Sequence, residues 1–461
     1  MNKIVCVSPI DGSVYAERNV DSKDFVENQL QLARTAQEDW AAQPISARRE
    51  VVDRAIEILA QMNDEIVTHL AWQMGRPVRY GGEINGVKER SAYMSEIAEQ
   101  SLAPIVIERS AEFSRYIARE PLGLILVIAP WNYPYMTAIN AVVPGLIAGN
   151  AVFLKHASQT LLVGEHLEQA FSEAGLPEGL FCNLRLDHDL TGHLIANRSF
   201  NFVNFTGSVE AGRTIERAAA GTFTGLGLEL GGKDPGYVRH DADLTGAVET
   251  LIDGAMFNSG QCCCGIERIY VHDSLFDDFC DKASASVESY KLGNPLDQET
   301  TLGPMANLRF ARLVREQIEE AVAAGARPLI DSANFKMDTG DSTYLAPQIL
   351  INVDQTMRVM KEESFGPVVG IVKVDSDEQA ISLMNDSDFG LTASIWSSDT
   401  AAVEKIGRAL QTGTVFMNRC DYLDPALCWT GCKDTGRGIS LSALGYQSLT
   451  RVKSYHLKQQ T

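Results

Sequence analysis

The sequence predicts an α/β protein built from two doubly wound parallel sheets with a small β arm attached. Three observations carry this. The chain has 461 residues, 45% of them hydrophobic and 22% charged, enough for about three domain-sized units around large cores. Between residues 122 and 230, short apolar runs alternate with stretches of helical length, the pattern of a parallel sheet covered on both faces. From Lys233 onward a second alternation of the same kind begins.

Residues 1–17 alternate apolar and polar and contain a Pro9-Ile10-Asp11-Gly12 turn, so they lack the apolar core of a signal peptide. Heptad-like apolar spacing predicts helices over 25–40, 47–63 and 64–73, a cover packed on the first sheet. Residues 105–118 alternate as an exposed hairpin would. No charge lies between Glu120 and Lys155, a span long enough for the roughly 20 helical residues that cross a bilayer. Its punctuation argues against a membrane. Pro130, Asn132-Tyr133-Pro134, Pro144-Gly145 and Gly149-Asn150 divide it into a buried strand over 122–129, a helix over 135–148 and a strand over 151–154. A helix over 161–174, a strand over 180–186, a short helix over 190–197, a strand over 200–205, a helix over 208–220 and a strand over 226–230 complete the first unit. The second unit reads as helix 244–257, strand 268–271, helices 274–289 and 310–325, strands 328–330 and 370–374, and helix 377–385. In such sheets a ligand binds beyond the carboxyl ends of the strands, so the first unit is expected to hold a cofactor.

The 40 Lys+Arg against 60 Asp+Glu leave a formal net charge of −20, and no basic run of five offers a local exception. Nucleic acid and anionic membrane are therefore poor partners. The nine cysteines are odd in number and three are consecutive, which suits a reducing compartment, the cytoplasm, rather than a disulfide framework.

Three motifs bear chemistry. In Phe257-Asn258-Ser259-Gly260-Gln261-Cys262-Cys263-Cys264, polar residues and glycine after an apolar helix present thiols next to backbone N–H groups, which lowers a thiol's pKa and makes a nucleophile. Buried cysteines also serve as small hydrophobes. A metal is not expected, because adjacent cysteines do not readily converge on one tetrahedral ion and the eight histidines show no paired spacing. In Leu228-Glu229-Leu230-Gly231-Gly232-Lys233, a carboxyl at a strand end is partly desolvated and suited to general-base work, although such a residue is often only a satisfied surface group. In Pro130-Trp131-Asn132-Tyr133-Pro134, a rigid loop offers an amide donor to an oxyanion, or is simply a turn.

A thiol, a base and an oxyanion donor beside a nucleotide-type sheet are the parts for attack on a carbonyl followed by redox chemistry. These residues, in this order and spacing along essentially the whole chain, resemble the NAD(P)-dependent aldehyde dehydrogenase superfamily. The resemblance implies an aldehyde dehydrogenase-like fold: two Rossmann-type α/β domains, cofactor-binding (1–103 and 122–232) and catalytic (233–445), plus an oligomerisation arm (104–121 and 446–461). It implies that Cys263 is the nucleophile, that Asn132 and the Cys263 N–H hold the oxyanion, and that Glu229 is the base. The aldehyde would become the carboxylic acid through a thiohemiacetal and a thioester, with Glu229 activating the hydrolytic water. NAD or NADP would be held by Trp131, Lys155, Ser158, Gly207, Ser208, Glu363 and Phe365, with Asn418 and Lys433 completing the C-terminal signature. No G-x-G-x-x-G follows residues 122–129, which fits the variant cofactor geometry of that family. A homodimer or homotetramer is implied by the arm.

The departures are informative. Ser158 stands where many NAD-preferring members carry a Glu that bonds the adenosine ribose, so a 2′-phosphate is no longer repelled and NADP is expected to be tolerated or preferred. Ala141 and Ser440 replace an interacting Lys and Glu, leaving hydrolysis to Glu229. By position, Thr137, Asn140, Cys262, Cys264, Asp421, Leu423 and Trp429 line the substrate tunnel. Members acting on succinate semialdehyde often place Arg at the Asn140 position; Arg419 could approach from the other side, while Asp421 would favour an amino-aldehyde. The alternatives are an acylating or reductive relative, against which Glu229 speaks, and a silent binding or structural protein of the same fold, against which Cys263, Asn132, Glu229 and Glu363 speak.

Overall fold

The computed structural model describes residues 3–420 and 422–459. At its centre Leu124–Ala129 pairs in parallel with Ala151–His156 on one side and Phe202–Thr206 on the other. Phe181–Asn183 extends the sheet past the former and Gly225–Glu229 past the latter, and Gly436–Arg437 closes that second edge antiparallel. All six residues of Leu124–Ala129 are buried, which explains why that stretch is continuously apolar instead of alternating. The chain leaves this strand to one side and later returns on the other. A crevice therefore opens beyond its carboxyl end, at the point where the winding reverses.

A second, seven-stranded sheet runs in the order Arg327–Pro328, Gln348–Ile351, Val368–Val374, Ile266–His272, Asp234–Val238, Thr392–Trp396 and Thr414–Met417. Only the first pair is antiparallel. The sequence reading missed Asp234–Val238, Gln348–Ile351, Thr392–Trp396 and Thr414–Met417, and it overextended the predicted strand over 180–186, which is only Phe181–Asn183. The expected hairpin is present as Ile105–Arg109 and Phe113–Pro121, and Thr450–Lys458 pairs along the latter to make a three-stranded antiparallel sheet. There Tyr116 and Tyr455 face each other across the strands with rings stacked at 4.6 Å.

The predicted cover helices are Lys23–Ala42, Ile45–Gln61 and Asn63–Met74. They are fastened to the carboxyl end of Pro134–Ile147: the Trp40 indole donates to the Leu146 carbonyl and the buried Arg48 Nε to the Ile147 carbonyl, each at 2.8 Å. The Leu146 carbonyl also accepts from the Gly149 N–H at 3.0 Å, so the indole adds a second bond there and joins the two layers. Among the described residues no helix is long and apolar enough to cross a membrane, and no disulfide forms.

Candidate active site

The loop after Leu124–Ala129 carries Trp131 and Asn132 into the crevice, the Thr206-Gly207-Ser208 turn comes from the neighbouring strand, and Glu229 ends the next. The thiols arrive from the second sheet's side. Helix Leu244–Met256 gives way to a turn in which Asn258 (φ 54°) and Ser259 (φ 57°) are left-handed, a conformation costly for residues with a Cβ. Side-chain bonds hold it: Ser259 Oγ donates to the Gly303 carbonyl at 2.8 Å, Gln261 Nε2 to the Asn258 carbonyl at 3.0 Å, and Gln261 Oε1 accepts from Ala306 N–H at 2.8 Å. Gly231 and Gly232 admit this segment. A Cβ on Gly232 would lie 2.4 Å from the Cys263 carbonyl oxygen, and one on Gly231 would lie 2.5 Å from the Glu363 carboxylate.

Two cavities meet at these residues. One, of about 180 Å³, is lined by Thr137, Asn140, Cys262, Cys264, Leu423 and Trp429, all expected in the substrate tunnel. Asp421, the seventh residue expected there, lies outside the described residues. The other, of about 260 Å³, has Trp131, Gly207, Ser208, Glu363 and Phe365 in its wall. Cys263, Glu229, Thr137, Thr206 and Leu230 belong to both. Lys155 and Ser158 lie at the carboxyl end of Ala151–His156, outside the lining of either cavity; burial lowers the Lys155 pKa, and Ser158 is exposed. Ser208 caps helix Val209–Ala219, its Oγ accepting from Ala211 N–H at 3.4 Å, so that helix's N-terminal N–H groups face the crevice.

The Asn132 side chain is buried, and its Nδ2 donates to the Gln261 carbonyl at 3.2 Å, leaving the second amide hydrogen for a ligand. Burial raises the Glu229 pKa, opposed by the Ser440 hydroxyl, the Arg90 charge and the Thr206 hydroxyl. Ser440 thus sits against the Glu229 carboxyl, at the position where the resemblance implied a lost relay. The three sulfurs of Cys262, Cys263 and Cys264 lie within 4.8 Å of one another, closer than adjacency in sequence suggested, with Cys262 and Cys264 at 3.5 Å. Hydrogen bonds from Cys263 and Cys264 hold the Cys262 thiol well below its usual range, and the same contacts, with burial, push Cys264 and Cys263 up. Thiol-to-thiol bonding is therefore the largest influence lowering the Cys262 pKa, ahead of the backbone N–H groups the sequence pointed to.

Several contributors were not read from the sequence. Glu267, buried at the start of Ile266–His272, accepts from the Ser364 and Phe365 N–H groups at 2.8 Å each and pairs with the buried Lys233 ammonium. That network fixes the turn bearing Glu363, whose carboxylate accepts from Gly232 N–H at 3.0 Å and whose pKa burial and the Glu267 charge push up to about 8. An acid at the edge of an apolar run was the only sequence signal. Phe310 stacks on Trp131 at 5.4 Å in the larger cavity. Arg90 contributes a buried guanidinium to the smaller one. Arg419, by contrast, lies over the Tyr422 ring at 4.0 Å and is not in the lining of that cavity. Asn418 and Lys433 act as clamps: Asn418 exchanges two 3.0 Å bonds with the Ser397 backbone, and the Lys433 ammonium donates to the Asn385 and Ser387 carbonyls at 2.9 Å.

Comparison with known proteins agrees with this geometry. The model of the Aldehyde dehydrogenase family matches residues 1–455. The succinate semialdehyde dehydrogenase (NAD(P)+) Sad of Escherichia coli (strain K12) is 31% identical over 453 residues, 98% of this chain and 97% of that protein. A betaine aldehyde dehydrogenase of Agrobacterium fabrum is 30% identical over 454 residues, 98% of this chain and 92% of that protein. Among solved structures, the succinic semialdehyde dehydrogenase from Streptococcus pyogenes in complex with NADP+ superposes with a TM-score of 0.92 at 27% identity, covering 99% of this chain and 100% of that one.

Proposed function

Because the chain belongs to the aldehyde dehydrogenase family, and so to enzymes that oxidise aldehydes with NAD(P), we propose that Cys263, Asn132 and Glu229 carry the reaction through to the carboxylic acid. The observation behind this reading is that Cys263 and Glu229 stand in the wall shared by the two cavities. The Cys263 sulfur adds to the aldehyde carbon, and Asn132 Nδ2–H with the Cys263 N–H holds the oxygen that becomes negative. Trp131, Glu363 and Phe365 would hold the nicotinamide, which would supply the hydride acceptor for that carbon. Glu229 then takes a proton from water as its oxygen attacks the thioester; the C–S bond breaks, the acid leaves and the thiolate is restored. A base in the shared wall argues against acyl transfer to coenzyme A. A panel of aliphatic, aromatic, amino- and carboxy-aldehydes with each cofactor tests the reading, and no NAD(P)H from any of them would overturn it.

Trp131, Phe365 and Glu363 would surround the nicotinamide riboside, the Gly207-Ser208 turn the pyrophosphate, and Lys155 and Ser158 the adenosine ribose. The donor set fits a dinucleotide: a helix N-terminus for phosphate, aromatic walls for a planar ring and a carboxyl for ribose hydroxyls. With Ser158 leaving no carboxylate against a 2′-phosphate, kcat/KM with NADP is expected to equal or exceed that with NAD. Ser158→Glu should cut the NADP value by roughly 100-fold, since like charges brought together cost several kcal/mol. Strict NAD use by the native enzyme would refute this.

The arm is read as the subunit contact. Ile105, Val106, Ile107 and Val452 are about half exposed or more on the two outer strands of the three-stranded sheet, where unpaired edges invite pairing. A homodimer or homotetramer is expected by light scattering, and Val452→Asp should shift the mass toward the monomer. A monomeric native protein would end the assignment. The thiol-rich site fits a reducing, cytoplasmic setting.

A further inference from the structure

Four arginines are buried to below a tenth of their surface: Arg48, Arg76, Arg90 and Arg268. Three are held by a carboxylate or by several backbone carbonyls. Arg76 pairs with Glu83 at 2.7 Å, Arg48 donates to backbone carbonyls at 2.8 and 3.1 Å, and Arg268 donates to four carbonyls and a tyrosine hydroxyl. Arg90 is the exception. From helix Ile84–Glu96 its Nη1 reaches only the Met136 carbonyl at 3.4 Å and Asn140 Oδ1 at 3.3 Å, both long for a charged donor, and its Nε and Nη2 bond to no described residue. Glu83, whose charge acts on Arg90, is already committed to Arg76 and to the Met136 N–H at 2.8 Å. Among the described residues no carboxylate lies within ion-pair distance of Arg90, although Glu229 and the Cys263 and Cys264 thiols feel its charge across the cavity.

A buried guanidinium stays charged, and leaving its donors unused is costly. Arg90 lines the smaller cavity together with Cys263, so an anion entering that cavity would meet it. We propose that Arg90 is the binding residue for a carboxylate at the far end of the aldehyde, and that the enzyme's substrates are carboxy-aldehydes rather than neutral or cationic ones. The inference rests on the aldehyde-oxidising reading of the same cavity. In this arrangement Asn140 orients the guanidinium from helix Pro134–Ile147. Asn132, Glu229 and the thiols act at the aldehyde end, and Arg90 reads the other.

The native enzyme should oxidise 4-oxobutanoate with a kcat/KM far above that for butanal, and both far above that for an aldehyde ending in trimethylammonium. Arg90→Met should lower the ratio of kcat/KM for 4-oxobutanoate to that for butanal by about 100-fold, mostly through KM, the loss expected for a charge-assisted bond; Arg90→Lys should recover part of it. In the native enzyme, which removes any question of folding, succinate should compete with the aldehyde at least tenfold better than succinamide, by the same strength of bond. An unchanged ratio in Arg90→Met, or equal inhibition by succinate and succinamide, overturns the carboxylate subsite. Absence of NAD(P)H with every aldehyde would instead overturn the underlying activity, so the two failures are told apart.

Discussion

Glu229→Gln is expected to release about one equivalent of NAD(P)H per site in a burst and then turn over 10² to roughly 10⁴ times more slowly than the native enzyme. The amide keeps the shape of the side chain and its contacts to the Thr206 and Ser440 hydroxyls but cannot take a proton. Addition of Cys263 and departure of the hydride do not need that base; hydrolysis of the thioester does. The pH dependence gives an independent check. Burial raises the Glu229 pKa, with the two hydroxyls and the Arg90 charge opposing it, so the ionised base is lost at a higher pH than an ordinary carboxylate would be. Turnover in the native enzyme should fall as pH drops through that raised value, and the limb should vanish in Glu229→Gln. Rapid mixing with absorbance detection reads both, and full steady-state turnover in the variant would sink the assignment.

Elements whose burial follows from apolar residues alone were legible in the sequence. Leu124–Ala129 is buried on both faces, and helix Pro134–Ile147 with strand Ala151–His156 continues the same uncharged stretch. Asp234–Val238 is equally buried but reads Asp-Pro-Gly, a turn signal; the register shift between Asp234 and Pro235 is what lets a proline enter a parallel sheet. Thr392–Trp396 was hidden because Thr392 and Ser394 are polar. Within the fold the Asp234 carboxylate accepts from the Thr392 hydroxyl at 2.6 Å and its N–H at 3.1 Å, which makes Thr392 compatible with a core strand. Helix Ile84–Glu96 escaped notice for a related reason: its buried face carries Arg90, Ser91 and Ser95 beside Val87 and Met94.

The site divides along the same line. Cys263, Asn132 and Glu229 stand in loops or at a strand end, each inside a recognisable local motif. Arg90 is far in sequence from those motifs, and Glu267, although it follows Cys264 closely, acts on the distant Ser364-Phe365 turn, so only the tertiary fold reveals either role. Glu267 illustrates the cost of missing one: with Lys233 and the Ser364 and Phe365 N–H groups it makes a single buried network, so the loop that presents Glu363 is set by a residue just before the predicted strand over 268–271.

The largest effect of all is expected at the nucleophile. Cys262, Cys263 and Cys264 share their sulfur contacts, which lower the Cys262 pKa and raise those of its two neighbours, so the order of acidity alone does not choose the nucleophile. Position does. Cys262 and Cys264 line only the smaller cavity, whereas Cys263 also lines the larger one, proposed above to hold the nicotinamide, and a carbon bound to its sulfur could there hand a hydride across. Cys263→Ser should therefore abolish the burst and lower turnover by about 10⁴-fold or more, the scale on which removing a covalent nucleophile acts. Cys262→Ser should cost far less and instead move the thiolate limb of the pH profile downward, because the contact with Cys262 and its charge hold the Cys263 pKa up. Rapid quenching with an aldehyde followed by mass spectrometry of the acylated peptide reads the site directly. An acyl group on Cys262, with a surviving burst in Cys263→Ser, would transfer the nucleophile's role to its neighbour and make Cys263 the proton-sharing partner.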